Sequence, residues 1–209
     1  MKLVLLYVFC FASLMGDVPK EIQAKLILAQ KGDVITLPKG KINFNRILVA
    51  DGIEDVVIKG SGIDQTILSF ENQIQGAEGL KISNSKNITL KDFTIENSKG
   101  DLIKVEDTQG ISFINIKAQW SNGPNSLNGS YAFYPVKSQN VYIDNCIAIG
   151  ASDAGIYVGQ SNNIIVKNSE AYYNVAGIEI ENSTNADVYD NYAHNNSGGI
   201  LVFDLPDLL

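Results

Sequence analysis

The sequence predicts an all-β protein: a single-stranded right-handed parallel β-helix of about 22 residues per coil with a short N-terminal capping helix. Three observations predict it. A Ser/Thr-led strand motif recurs five times, a column of Asn and Asp follows each copy, and glycines later in the chain stand 22 residues apart. Searching for such a period comes first when Asn and Gly recur this often, because both tolerate the left-handed backbone of tight turns.

The motif reads Ser85-Lys-Asn-Ile-Thr-Leu, Thr108-Gln-Gly-Ile-Ser-Phe, Ser138-Gln-Asn-Val-Tyr-Ile, Ser161-Asn-Asn-Ile-Ile-Val and Ser183-Thr-Asn-Ala-Asp-Val, with starts separated by 23, 30, 23 and 22 residues. Ile88/Leu90, Ile111/Phe113, Val141/Ile143, Ile164/Val166 and Ala186/Val188 alternate with other residues, which puts each pair on one face of a strand. Asp92, Asn115, Asn145, Asn168 and Asp190 form the turn column, and Ile95, Ala118, Ala148, Ala171 and Ala193 an interior column. Gly155-Ile-Tyr-Val, Gly177-Ile-Glu-Ile and Gly199-Ile-Leu-Val mark a second strand per coil. Helical spacing and the leucine-rich frame are both missing. Residues 85–209 carry the clearest repeats.

At the N-terminus, Lys2 followed by the apolar run Leu3 to Leu14 reads as a signal peptide over residues 1–16, too short to span a membrane. That leaves a β-helix domain over residues 17–209, exported to the periplasm or the extracellular space, with no membrane insertion once the signal is removed. Residues 18–30 are expected to form the cap helix, with Pro19 near its start, Ile22, Leu26 and Ala29 in one stripe and Gly32 as its stop. Such a helix covers strand edges that would otherwise aggregate. Val34-Ile-Thr-Leu and Asp55-Val-Val-Ile-Lys-Gly read as early coil strands. At Leu209 no polar cap follows the last coil, so the sequence predicts C-terminal truncation, or end-to-end association through residues 199–209.

The chain carries 16 basic and 23 acidic residues, net −7, and −8 once Lys2 leaves. That balance repels phosphate backbones, so nucleic acid is a poor partner. With Cys10 in the signal, Cys146 has no disulfide partner and reads as a small buried hydrophobe. His194 is the lone histidine, expected in a solvated turn, and no Cys/His cluster suggests a metal; Asp101 and Glu106 lack a calcium-loop pattern. No cofactor is expected.

The 30-residue coil holds about seven extra residues, best placed in Ser121-Asn-Gly-Pro-Asn-Ser-Leu-Asn-Gly. Loops projecting from a rigid scaffold are where binding concentrates. The candidate binding residues lie beside it: Trp120, Tyr131, Tyr134, Lys137, Asp153 and Tyr157. Aromatic faces stack on sugar rings while amides and charges bond their hydroxyls; the plainer alternative is cross-strand packing of aromatics on a sheet face. Asp153, Lys137, Gln160 and Glu179 fall in the same region, where a carboxylate pair would suit acid/base work, against the commoner case of isolated solvated charges.

With Gly150-Ala-Ser-Asp-Ala-Gly-Ile-Tyr-Val-Gly and Ala176-Gly-Ile-Glu-Ile-Glu-Asn-Ser, the coils resemble exported bacterial parallel β-helix repeat proteins. These belong to the wider pectin-lyase-like group of mannuronan C5-epimerases, pectate lyases and nitrous-oxide-reductase accessory proteins. The resemblance implies uronate-type polysaccharide as the ligand. It does not carry over an active site. Where the epimerases have Tyr-Gly-Phe-Asp-Pro-His, this chain has Tyr131-Ala-Phe-Tyr-Pro-Val, so Tyr134 and Val136 replace the Asp and the His. Gln160 falls where a catalytic Arg would, and Arg46 is the lone arginine. Three functions follow: a polysaccharide-binding β-helix, a lyase or epimerase completed by downstream coils, or a scaffold for a protein partner.

Overall fold

The computed structural model describes residues 17–206, so the signal-peptide reading of Met1–Gly16 lies outside the described residues. Within them a single chain winds into stacked coils. Each coil contributes one strand to a seven-stranded parallel sheet, and its remaining strands build a twelve-stranded sheet around the same core. The seven-stranded sheet runs, in chain order, through Arg46–Asp51, Gln75–Ser83, Ile103–Glu106, Phe133–Val136, Ala154–Gly159, Ala176–Glu181 and Gly198–Phe203. Every named strand pairing is parallel, as in a β-helix of 22 or 23 residues per regular coil.

The alternating apolar positions stack in register: Ile88, Ile111, Val141 and Ile164 in one column, Leu90, Phe113, Ile143 and Val166 in the next. All eight are at most 1% exposed. Each fully buried side chain of this size contributes roughly 1.5–3 kcal/mol. The Ser/Thr that opens each motif is explained by hydrogen bonding. The hydroxyls of Thr108, Ser138, Ser161 and Ser183 each donate to the carbonyl two residues earlier. Those of Ser138, Ser161 and Ser183 also accept the amide of Thr108, Ser138 and Ser161 one coil back. A buried turn is thereby satisfied at every coil.

The Asn/Asp column also holds. Asp92, Asn115, Asn145, Asn168 and Asp190 all have φ between 49° and 62°. Asn115 donates to Asp92 and Asn145 to Asn115, while Asn168 turns to Asp144 instead. Asn and Asp tolerate this left-handed geometry better than other side-chain-bearing residues.

Two expectations need correction. The cap helix spans Val18–Ile27 and stops short of Gln30. Asp33 captures the Gln30 amide while its own amide returns to the Gln30 carbonyl, closing a turn there. Asp17 caps the start by accepting the Lys20 amide, and Ile22 and Leu26 are buried as the stripe requires. His194 is not merely a solvated turn residue. It stacks on Tyr172 and Tyr192, and its Nε2 lies 2.9 Å from Glu170. At the far end Ile200 and Val202, in register with buried Ile178 and Ile180, are 47% and 73% exposed.

Candidate functional site

The outward positions of the seven-stranded sheet form columns, and one of them builds the site. Lys81 pairs with Lys104, Lys104 with Tyr134, and Tyr157 with Glu179, which in turn pairs with Leu201. Because Phe133 is opposite Ile156, Tyr134 comes beside Tyr157. Period-two alternation sends Phe133 and Ile156 into the core and these neighbours outward. A second column, Glu106, Val136, Gly159 and Glu181, runs alongside.

Three tyrosines meet here. The ring centroids of Tyr131 and Tyr134 are 4.5 Å apart, Tyr131 and Tyr157 4.6 Å, and Tyr134 and Tyr157 5.1 Å, within the usual range for aromatic pairs. Gly159 makes this possible, since a Cβ there would strike the Tyr157 ring. The Tyr157 hydroxyl donates to Glu181 at 3.0 Å and the Tyr131 hydroxyl to Asp153 at 3.3 Å. The Tyr131 amide donates to Asp101. Lys104 holds its ammonium 4.9 Å from the centre of the Tyr134 ring, in cation–π range.

Glu179 is the unusual member. It is 7% exposed and makes no hydrogen bond or ion pair through its carboxylate among the described residues. Burial, then the like charges of Asp153 and Glu181, push its carboxyl up to about 7. Burial likewise raises Asp101 to about 6, against the pull of the Tyr131 amide and Lys104. Tyr131 and Tyr157 are pushed well above the ordinary phenol value by burial and by the carboxylates they bond, so both stay protonated donors. Strongly perturbed carboxyls beside an aromatic surface mark a candidate functional site.

Of the six residues expected from the sequence, the structure brings together Tyr131, Tyr134, Tyr157 and Asp153. Trp120 is a correction. It is 4% exposed within the core, and its indole N–H donates to the Ser98 carbonyl at 2.9 Å. A large ring whose one donor is satisfied by buried backbone is packing, not a binding face. Lys137 also stands apart, exposed at a left-handed turn (φ 50°) after the Phe133–Val136 strand, in line with Gln160 and Asn182 at the same corner. Glu181 and Lys104 escaped sequence reasoning altogether. Their signal was strand phase, readable only once the register across the 30-residue coil is known.

The inserted loop borders the site. Ser121 is held by Asn97, Asn128 donates to the carbonyls of Gly123 and Gly150, and Ser152 and Asp153 bond the Gly129 and Ser130 carbonyls. The Tyr131-Ala-Phe-Tyr-Pro-Val stretch thus presents Tyr134 and Val136 outward, with no imidazole or guanidinium among the described residues of this patch. Cys146 is fully buried and its thiol is pushed up to about 12 by that burial, which leaves it inert as a nucleophile. No group of three or more His, Cys, Asp or Glu side chains suited to a metal occurs among the described residues. None of their helices is long and apolar enough to cross a membrane.

The chain belongs to the family described as the right handed beta helix region, whose pattern matches residues 51–206. It is 24% identical over 208 residues to a pre-neck appendage protein of Bacillus phage B103, covering 82% of this chain and 24% of that protein. Its fold is similar to the mannuronan C-5 epimerase AlgE4 A-module of Azotobacter vinelandii, with a TM-score of 0.67 at 16% identity. That match covers 87% of this chain and 53% of the epimerase chain. The chain therefore spans about a quarter of the first relative and about half of the second.

Proposed function

We propose that this right-handed β-helix binds polysaccharide on the outer face of its seven-stranded sheet. The observation that carries the reading is the cluster of Tyr131, Tyr134 and Tyr157, packed ring against ring beside Asp153, Glu179 and Glu181. The half-buried rings of Tyr131 and Tyr134, backed by the buried Tyr157, offer rigid faces on which sugar C–H groups stack at low entropic cost, and the adjoining carboxylates accept hydroxyl hydrogen bonds. The inserted 121–129 loop meets the site at its end, where the Gly129 and Ser130 carbonyls accept the Ser152 and Asp153 amides. Export to the periplasm or cell exterior, where polysaccharide is met, belongs to the same proposal and rests on the Leu3–Leu14 run. The uronate polymers implied by family resemblance are disfavoured here, because the site already holds like charge.

A glycan array probed with the full chain tests this reading, followed by titration of any hit against Tyr131→Ala and Tyr134→Ala. Each single variant is expected to weaken binding about tenfold or more, in line with about 1.4 kcal/mol per decade. Unchanged affinity in both folded variants overturns the site, and an array without hits from folded protein overturns the function.

A second reading has a specific observation behind it. A carboxyl that keeps its proton to about pH 7, as Glu179 does, is suited to general acid catalysis on a glycosidic oxygen. Turnover of the bound polysaccharide by wild type and its loss in Glu179→Gln with binding retained would favour an enzyme over a binding module.

A further inference from the structure

The two halves of the tyrosine patch differ in what balances their charge. On one side Glu106 lies 2.8 Å from Lys81 and 3.6 Å from Lys104. On the other side Asp153, Glu179 and Glu181 have no Lys, Arg or His nitrogen within 4.0 Å among the described residues. Two of these three accept only neutral tyrosine hydroxyls, and Glu179, more than nine-tenths buried, accepts nothing. Without a cationic partner such a carboxyl keeps its proton, and an ammonium placed beside it would supply the missing countercharge and favour the ionised form.

The rings beside it suit the same charge. Tyr134 already takes the Lys104 ammonium over its ring, so the cluster holds an ammonium of its own chain at that edge and none within 4.0 Å of the carboxyls at the other among the described residues. Aromatic faces joined to carboxylates are the ordinary means of recognising an ammonium group. Building on the polysaccharide-binding reading, we propose that Tyr131, Tyr134, Tyr157, Asp153, Glu179 and Glu181 select a protonated amine, so that the ligand is an amino-sugar polymer with free ammonium groups. Neutral glycans offer the rings but no countercharge, and uronates bring the wrong sign. The net charge of −7 draws such a polycation toward the protein, while the patch decides where it seats.

Four hexamers distinguish the cases: glucosamine, N-acetylglucosamine, cellohexaose and galacturonate, titrated calorimetrically at about pH 6 with the full chain. The glucosamine hexamer is expected to bind at least tenfold tighter than its acetylated and neutral counterparts. Glu179→Gln and Asp153→Asn, shown folded by thermal unfolding, are expected to remove that preference, whereas Glu21→Gln on the cap helix leaves it intact and controls for net charge. Equal affinity for glucosamine and cellohexaose overturns amine selection and leaves polysaccharide binding standing. Tighter binding of galacturonate also overturns it. A discrimination unaltered in both site variants shows general attraction to an acidic protein and overturns the assigned site. No binding by any hexamer, together with an empty glycan array, overturns both readings.

Discussion

The Lys81–Lys104–Glu106 half of the outer face and the Asp153–Glu179–Glu181 half are built alike. Both are built on outward phases of the same parallel sheet, coil upon coil, with Asp153 added from the bend that precedes its strand, and both touch the tyrosine cluster. In the first half the carboxylate is closed by two ammonium groups. In the second, three carboxylates converge with tyrosine hydroxyls alone to meet them. A solenoid repeats its backbone, so equivalent positions differ only in side chain, and charge balance then separates a self-contained surface from one whose carboxyls lack a countercharge.

Three substitutions test that contrast, beginning with the largest effect. Trp120→Ala removes a buried indole from the hydrophobic core and is expected to destabilise the fold by about 3–5 kcal/mol in urea unfolding. Glycan affinity measured on the remaining folded protein should stay within about twofold; a large loss would return Trp120 to the binding site.

Glu179 has the next largest effect, and it depends on pH. Its folded carboxyl titrates near 7, above the ordinary 4.5, so between those values the folded protein holds a proton that the unfolded chain has released. Stability should therefore fall as pH rises from about 4.5 to about 7, by an amount on the order of 2 kcal/mol. Chemical denaturation of wild type and Glu179→Gln across this window should show a slope in the first that is reduced in the second. Matching slopes would mean that the buried carboxylate is balanced by something else.

Lys104→Ala, in the balanced half, should be nearly silent. Glu106 keeps Lys81 at 2.8 Å, and partly exposed pairs contribute about 0–1 kcal/mol. A loss above about 2 kcal/mol would show that the Tyr134 contact, and not the ion pair, holds this edge together.

The sequence by itself determined the solenoid. Stacked coils require each strand to repeat the phase of the last, so Ile88/Leu90 through Ala186/Val188, the Ser/Thr openings and the Asn/Asp turns all announce the same period. That requirement is local and survives in one dimension. It also put Tyr131, Tyr134, Tyr157 and Asp153 in one neighbourhood around the 30-residue coil, since insertions interrupt a visible period.

Which of those residues share a surface depends on how the coils stack. Trp120 lies next to the insertion in sequence yet turns inward, into the hydrophobic core, where the Ser98 carbonyl accepts its indole N–H. Lys137 is three residues from Tyr134 but leaves the sheet at a corner. Glu179 and Glu181 reach the tyrosines from the next coil through register, and Lys104 from the coil before. The physical reason is the winding itself: side chains about 22 to 30 residues apart become neighbours at the roughly 4.8 Å strand spacing, while Lys137, only three residues past Tyr134, is carried away by the turn at the end of its strand.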